Sequence, residues 1–117
     1  MIETLTPNVT PEKITPEKIS PIKPSEAIRL GRLKYPNVIA GKYRSVGGAC
    51  TMAAMAAGYG RSGVTLSLYR YFPDIPAYVI NKISSIPLVM DNRVFLHGEK
   101  PEDVEASIIR ALEALGY

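Results

Sequence analysis

The plainest hydrophobic pattern lies at the C-terminal end of the chain. Val104, Ile108, Ala111, Leu112 and Leu115 recur at three- and four-residue spacing, which lines them along one side of a helix. Pro101 suits the first position of that helix, Glu102 and Asp103 suit its positive end, and Gly116 ends it. A second amphipathic segment is predicted from Ser25 to about Tyr35. Ser25 can cap it, Glu26 falls in its first turn, and Ala27, Ile28, Gly31 and Tyr35 fall near one face with Leu30 and Leu33 beside it. Ala27 and Gly31 are small and four apart, so another element can approach closely there. Pro36 and Asn37 end the segment.

Between these two helices the pattern changes. Gly48 to Ala57 reads Gly-Ala-Cys-Thr-Met-Ala-Ala-Met-Ala-Ala. Alanine favours helix strongly, and a helix this small and apolar all round is expected to be central and buried, ending at Gly58 or Gly60. Residues 38–46 suggest two short extended pieces around Gly41, hence a small hairpin. Residues 64–72 alternate like a strand at Val64, Leu66 and Leu68, but Pro73 follows and a lone strand would lack partners, so a short helix is expected. Asp74 and Pro76 open a further helix through about Ser85, stopped by Pro87. Residues 88–97 are expected to be irregular, or two short strands turned at Asp91-Asn92, with Gly98 as a break.

The N-terminal stretch has a different character. Thr10-Pro-Glu-Lys-Ile14 is followed by Thr15-Pro-Glu-Lys-Ile19 and then by Ser20-Pro-Ile-Lys23. A proline every five residues blocks a continuous helix, because each ring removes a donor and restricts the residue before it. Residues 1–24 are therefore expected to form a flexible, extended arm, and residues 25–117 a single small helical domain. The fold class that follows is mainly α, a single-domain helical cluster, shading into α+β if one minor hairpin forms.

Composition narrows the function classes. Apolar residues make up 46% of the 117-residue chain, which is ordinary for a globular domain. Cys50 is the single cysteine, so neither an internal disulfide nor a cysteine-rich metal site is expected. No apolar run is long enough to span a bilayer, and no charged start followed by an apolar core marks a signal peptide. The expectation is a cytoplasmic protein with no membrane association and no cofactor. The net charge of +3 is unevenly spread: residues 27–73 hold seven bases and no acid, whereas residues 74–117 hold seven acids and four bases.

The layout resembles a group of small uncharacterised bacterial and phage proteins. The resemblance is carried by the opening Ser25-Glu-Ala-Ile-Arg-Leu-Gly31, by Gly48-Ala-Cys-Thr-Met-Ala-Ala54 at the start of an alanine-rich helix, and by a turn before a final amphipathic helix. It covers roughly residues 24–115. In the group the second helix usually continues Cys-Ala-Leu-Gly-Ala, and Ala53 stands here where that glycine would fall. The group's Asn-Asp-like turn corresponds to Asp91-Asn92, in the reverse order. The resemblance implies a small helical domain of phage or mobile-element origin and brings no activity with it.

Three function classes can be written on these residues. The first is a non-enzymatic interaction or regulatory module that binds protein, either another chain or a second copy of itself as a homodimer. The second is a nucleic-acid-binding module using Arg29, Arg32, Lys34, Lys42, Arg44, Arg61 and Arg70, interleaved with Tyr35, Tyr43, Tyr59, Tyr69, Tyr71 and Phe72. Cations neutralise phosphates and aromatic faces stack on unpaired bases. Against it stands simple complementarity, a basic face answering the acidic final helix. The third is a cysteine hydrolase with Cys50 as nucleophile, His97 as base and Asp91 or Asn92 orienting it, since a thiol at a helix N-terminus is acidified by the helix dipole. Against it stands the usual role of a free cysteine as a small buried apolar side chain. His97 alone makes no metal site. Gly47-Gly48 beside Arg44 and Lys42 invites an anion, but lacks the ending of a phosphate loop. Glu102, Asp103, Glu105 and Glu113 are accounted for by helix polarity. The leading expectation is the protein-binding module, leaning away from an enzyme.

Overall fold

The computed structural model describes residues 22–61 and 67–117. Residues 1–21, with the repeats of the arm, and residues 62–66, with the beginning of the 64–72 stretch expected to be a short helix, lie outside the described residues. The rest is mainly α-helical with a minor sheet. Helix α1 spans Pro24–Lys34; three two-residue strands follow, β1 Asn37–Val38, β2 Arg44–Ser45 and β3 Gly48–Ala49. Helix α2 spans Thr51–Gly58, a 3-10 turn covers Leu68–Arg70, and α3 Ala77–Ser84, α4 Ile86–Asp91, a π-helical segment Asn92–Leu96 and α5 Pro101–Ala114 complete the fold.

The centre is the crossing of α1 and α2, and small residues make it possible. A methyl at Gly31 would overlap the Ala54 carbonyl, and one at Gly58 would overlap the Ala27 carbonyl. The two helices therefore run antiparallel with backbone against backbone, and only glycine fits at the two closest points. Thr51 and Ala53–Ala56 are all buried, as an apolar helix without a polar side requires. Ile28, Met55, Val79, Met90, Val104 and Leu112 are fully buried and form the core that α3, α4 and α5 close around it.

Helix α5 is held to this centre by one desolvated network. Arg32 and Glu105 form a two-pronged ion pair, Nε to Oε2 at 2.9 Å and Nη2 to Oε1 at 2.5 Å. Their side chains are only 13% and 8% exposed. The Arg32 Nη1 also donates to the carbonyls of Tyr35 and Asn37, and the Thr51 hydroxyl donates to Glu105 Oε1. Every charge in the network has a partner, which makes its burial tolerable. Helix polarity is thus not the whole account of the α5 acids: Glu105 faces inward and ties α5, α1, α2 and the start of β1 together, and Glu113 pairs with Arg29.

The sheet is ordered β1-β3-β2, with β1 parallel and β2 antiparallel to β3. Gly48-Ala49, expected as the first turn of the alanine-rich helix, is its central strand. Both residues are buried, and Cys50 N–H donates to the Tyr43 carbonyl. The helix therefore begins at Thr51 with Cys50 as its cap, where Sγ accepts from the Ala53 N–H at 3.4 Å. Ser25 likewise does not cap α1. Lys23 occupies the cap position, and the Ser25 N–H and hydroxyl both donate to the Tyr117 carbonyl, joining the two ends of the domain.

The largest departure is at residues 86–97. The helix expected to end before Pro87 does end there, at Ser84, but Pro87 also sits in the first turn of a new helix, α4, where a missing N–H costs little. Asp91 and Asn92 make no turn, because α4 runs directly into the π-helical segment. The buried pair Ile86 and Met90, four residues apart, fixes the helix against the core. Tertiary burial here overrides the local turn preference of an Asp-Asn pair.

Candidate interaction surface and the Cys50 cavity

A cavity of about 220 Å³ opens at the N-terminal end of α2. Cys50, Met52, Ile86 and Met90 make its apolar wall; Lys42, Tyr43 and Asp91 make its polar rim. Its shape depends on the loop before β2. Gly41, at φ +85°, turns the chain toward the end of α4, where its N–H donates to Asp91 Oδ1 at 3.2 Å. The Phe95 ring lies against Gly41 so closely that an added Cβ would come within 3.0 Å of it.

The structure brings two of the three hydrolase candidates, Cys50 and Asp91, to this cavity. His97 is not among the residues that line it. The imidazole is exposed at the end of the π-helical segment. Cys50 is 8% exposed and Asp91 Oδ1 is occupied by the Gly41 N–H. Among the described residues, no group of three or more His, Cys, Asp or Glu side chains is placed to hold a metal ion, and no helix is long and apolar enough to cross a membrane.

The seven bases of the acid-free segment separate into groups. Arg29 pairs with Glu113 at 2.8 Å and Arg32 with Glu105, so these two are matched by carboxylates of the final helix. Lys34 and Arg44 meet an aromatic ring instead: Lys34 Nζ and Arg44 Cζ lie 5.6 and 5.7 Å from the centroid of Tyr35. The Arg44 Nη1 also donates to the Tyr35 hydroxyl at 3.1 Å. That hydrogen bond, helped by the charge of Lys34, lowers the Tyr35 phenol below its usual value. Lys42 stands on the cavity rim. Arg61 and Arg70 are exposed at the end of α2 and in the 3-10 turn.

The tyrosines divide in the same way. Tyr59 and Tyr71 stack with ring centroids 4.6 Å apart, and the Tyr59 hydroxyl donates to the Ile22 carbonyl. Burial raises the Tyr59 phenol well above its usual value. By contrast, Tyr43, Tyr69 and Tyr78 are more than half exposed.

One surface feature was not anticipated from sequence. Leu88, Phe95 and Leu96 are 64%, 62% and 74% exposed. They project from one continuous helical element, with Leu88 and Leu96 two four-residue steps apart. The sequence suggests an irregular stretch or two short strands over 88–97 rather than a helix; the apolar spacing of Ile86, Met90 and Val94 marks the opposite, core-facing side. Comparison with protein-family models, with curated proteins and with solved structures found no match to this chain.

Proposed function

We propose that this protein is a non-catalytic interaction module that binds another protein through the α4 side of the domain. The exposed row Leu88, Phe95 and Leu96 carries the reading. A small soluble domain scatters exposed apolar side chains singly, whereas several large ones on one helical element mark a contact surface. The row adjoins the cavity through the Phe95–Gly41 contact, so a partner covering it has a recess for an apolar anchor beside it. The π-helical segment supports the same side, because such segments in helices are frequent at functional positions.

The test is affinity capture from an extract of the source organism with the intact chain and with Leu88→Asp/Phe95→Asp/Leu96→Asp. A defined partner held by the parent chain after nuclease treatment and lost by the triple variant is the expected result. Identical captured sets from the two chains, with both chains folded by circular dichroism, overturn the reading. Light scattering of the purified protein at rising concentration distinguishes a second copy from a foreign partner.

A further inference from the structure

Resting on the α4 side as a contact surface, we infer that its partner is a second copy of this chain, held face to face across a two-fold axis. One face carries both a projecting part and a receiving part. Leu88 stands outward from α4 with 64% of its surface exposed, and the exposed Phe95 and Leu96 follow it along the same helical element. Beside them lies the cavity, walled by Ile86 and Met90 of that element and by Cys50 and Met52 at the start of α2. Its volume of about 220 Å³ is ample for one leucine side chain, since a cavity of roughly 150 Å³ admits a benzene ring.

A foreign partner needs only one of these two parts. A two-fold dimer uses both at once, because its interface joins the same patch on the two copies. Leu88 of each copy enters the recess of the other, and Phe95 and Leu96 close over the rim. Burying these side chains from both copies drives the association.

Charge on the rim fits the same symmetry. Lys42 and Asp91 stand there with opposite signs. Lys42 is exposed, and Asp91 engages the Gly41 N–H through Oδ1, which leaves Oδ2 for a further donor. A copy turned through the two-fold brings the partner subunit's Asp91 to Lys42 and the partner subunit's Lys42 to Asp91, so both pairs attract. A rim of one sign would repel its own copy.

Sedimentation velocity of the full chain over a concentration series tests the inference. The parent chain is expected to pass from monomer to dimer as concentration rises, with a dissociation constant on the order of micromolar. Leu88→Ala, which empties both recesses, is expected to weaken the dimer about tenfold or more with circular dichroism unchanged. Lys42→Asp alone and Asp91→Lys alone are each expected to be monomeric where the parent is dimeric, because each turns both rim pairs into like charges. Mixed in equal amounts, the two variants are expected to form a dimer containing one of each, because both pairs then attract again. A contact elsewhere gives no such recovery. If Asp91→Lys does not fold, Asp91→Asn, which keeps an acceptor for the Gly41 N–H, is expected to weaken the dimer several-fold, and an unweakened dimer overturns the inference. A mixture that stays monomeric with both variants folded overturns it too, as does assembly that continues past the dimer. A parent chain that stays monomeric at every concentration overturns the second copy as partner but leaves the α4 reading to the capture experiment, so the two fail separately.

Discussion

Two arginines of one acid-free segment have opposite surroundings. Arg32 lies under α5 with its fork closed on Glu105, its remaining N–H donors on the Tyr35 and Asn37 carbonyls, and almost no water around it. Arg44 lies at the outer strand of the sheet, against the ring and hydroxyl of Tyr35, in solvent. The difference separates a charge closed off beneath α5 from one held against an aromatic ring at an exposed position. In the α1–α2–α5 centre Glu105 is bonded to both Arg32 and Thr51, and Gly31 and Gly58 are fixed by backbone contact. On the α4 side, by contrast, Leu88, Phe95 and Leu96 are each more than half exposed.

Substitutions at the two kinds of position are expected to differ accordingly. The largest effect is expected at the helix crossing. Gly58→Val places side-chain atoms where the Ala27 carbonyl stands, and since backbone cannot yield there cheaply, a loss above about 4 kcal/mol is expected, enough to unfold a domain of this size. Thermal unfolding followed by far-ultraviolet circular dichroism measures it. A folded Gly58→Val protein with an unchanged midpoint would mean that α1 and α2 are not in backbone contact.

Glu105→Ala comes next. It leaves the guanidinium of Arg32 buried with no carboxylate, and a loss of about 3 kcal/mol is expected. Denaturant titration checks it. The double substitution Arg32→Met/Glu105→Leu is expected to recover most of that loss, because removing both charges also removes their desolvation cost. By contrast Arg29→Ala, which breaks the exposed pair with Glu113, is expected to leave the unfolding midpoint where it was. Leu88→Asp is expected to move stability by no more than about 0.5 kcal/mol. A large destabilisation by Leu88→Asp would place that side chain in the core and remove the basis of the proposed contact surface.

The smallest and most local effect is spectroscopic. With the Arg44 hydrogen bond and the Lys34 charge lowering its phenol, Tyr35 is expected to ionise at lower pH than Tyr59, whose phenol burial raises. Absorbance titration near the phenolate band reads the order. Arg44→Ala is expected to move the Tyr35 component upward and leave that of Tyr59 in place, and Tyr59→Phe to remove the latter alone.

Much of the helical skeleton was legible in the residues themselves, because it rests on local chemistry. The α5 stripe, the Pro101 start, the apolar character of the segment around Ala54 and the small pair Ala27 and Gly31 all follow from spacing and propensity over a single element. Where the expected and observed structures part, a distant contact decides. Gly48-Ala49 is strand because β1 and β2 lie on either side of it. Asp91-Asn92 is helix because Ile86 and Met90 are buried against the core.

The candidate surfaces divide along the same line. The sequence shows seven bases without an acid among them; it does not show which of them the acids of α5 reach. Periodicity is a property of one element and is written in its own residues. The match of Arg32 to Glu105 across 73 positions, and the turning outward of Leu88, Phe95 and Leu96, are properties of how elements pack. Only the tertiary structure fixes them, because the burial that decides whether a charge or a methyl faces water is contributed by the rest of the chain.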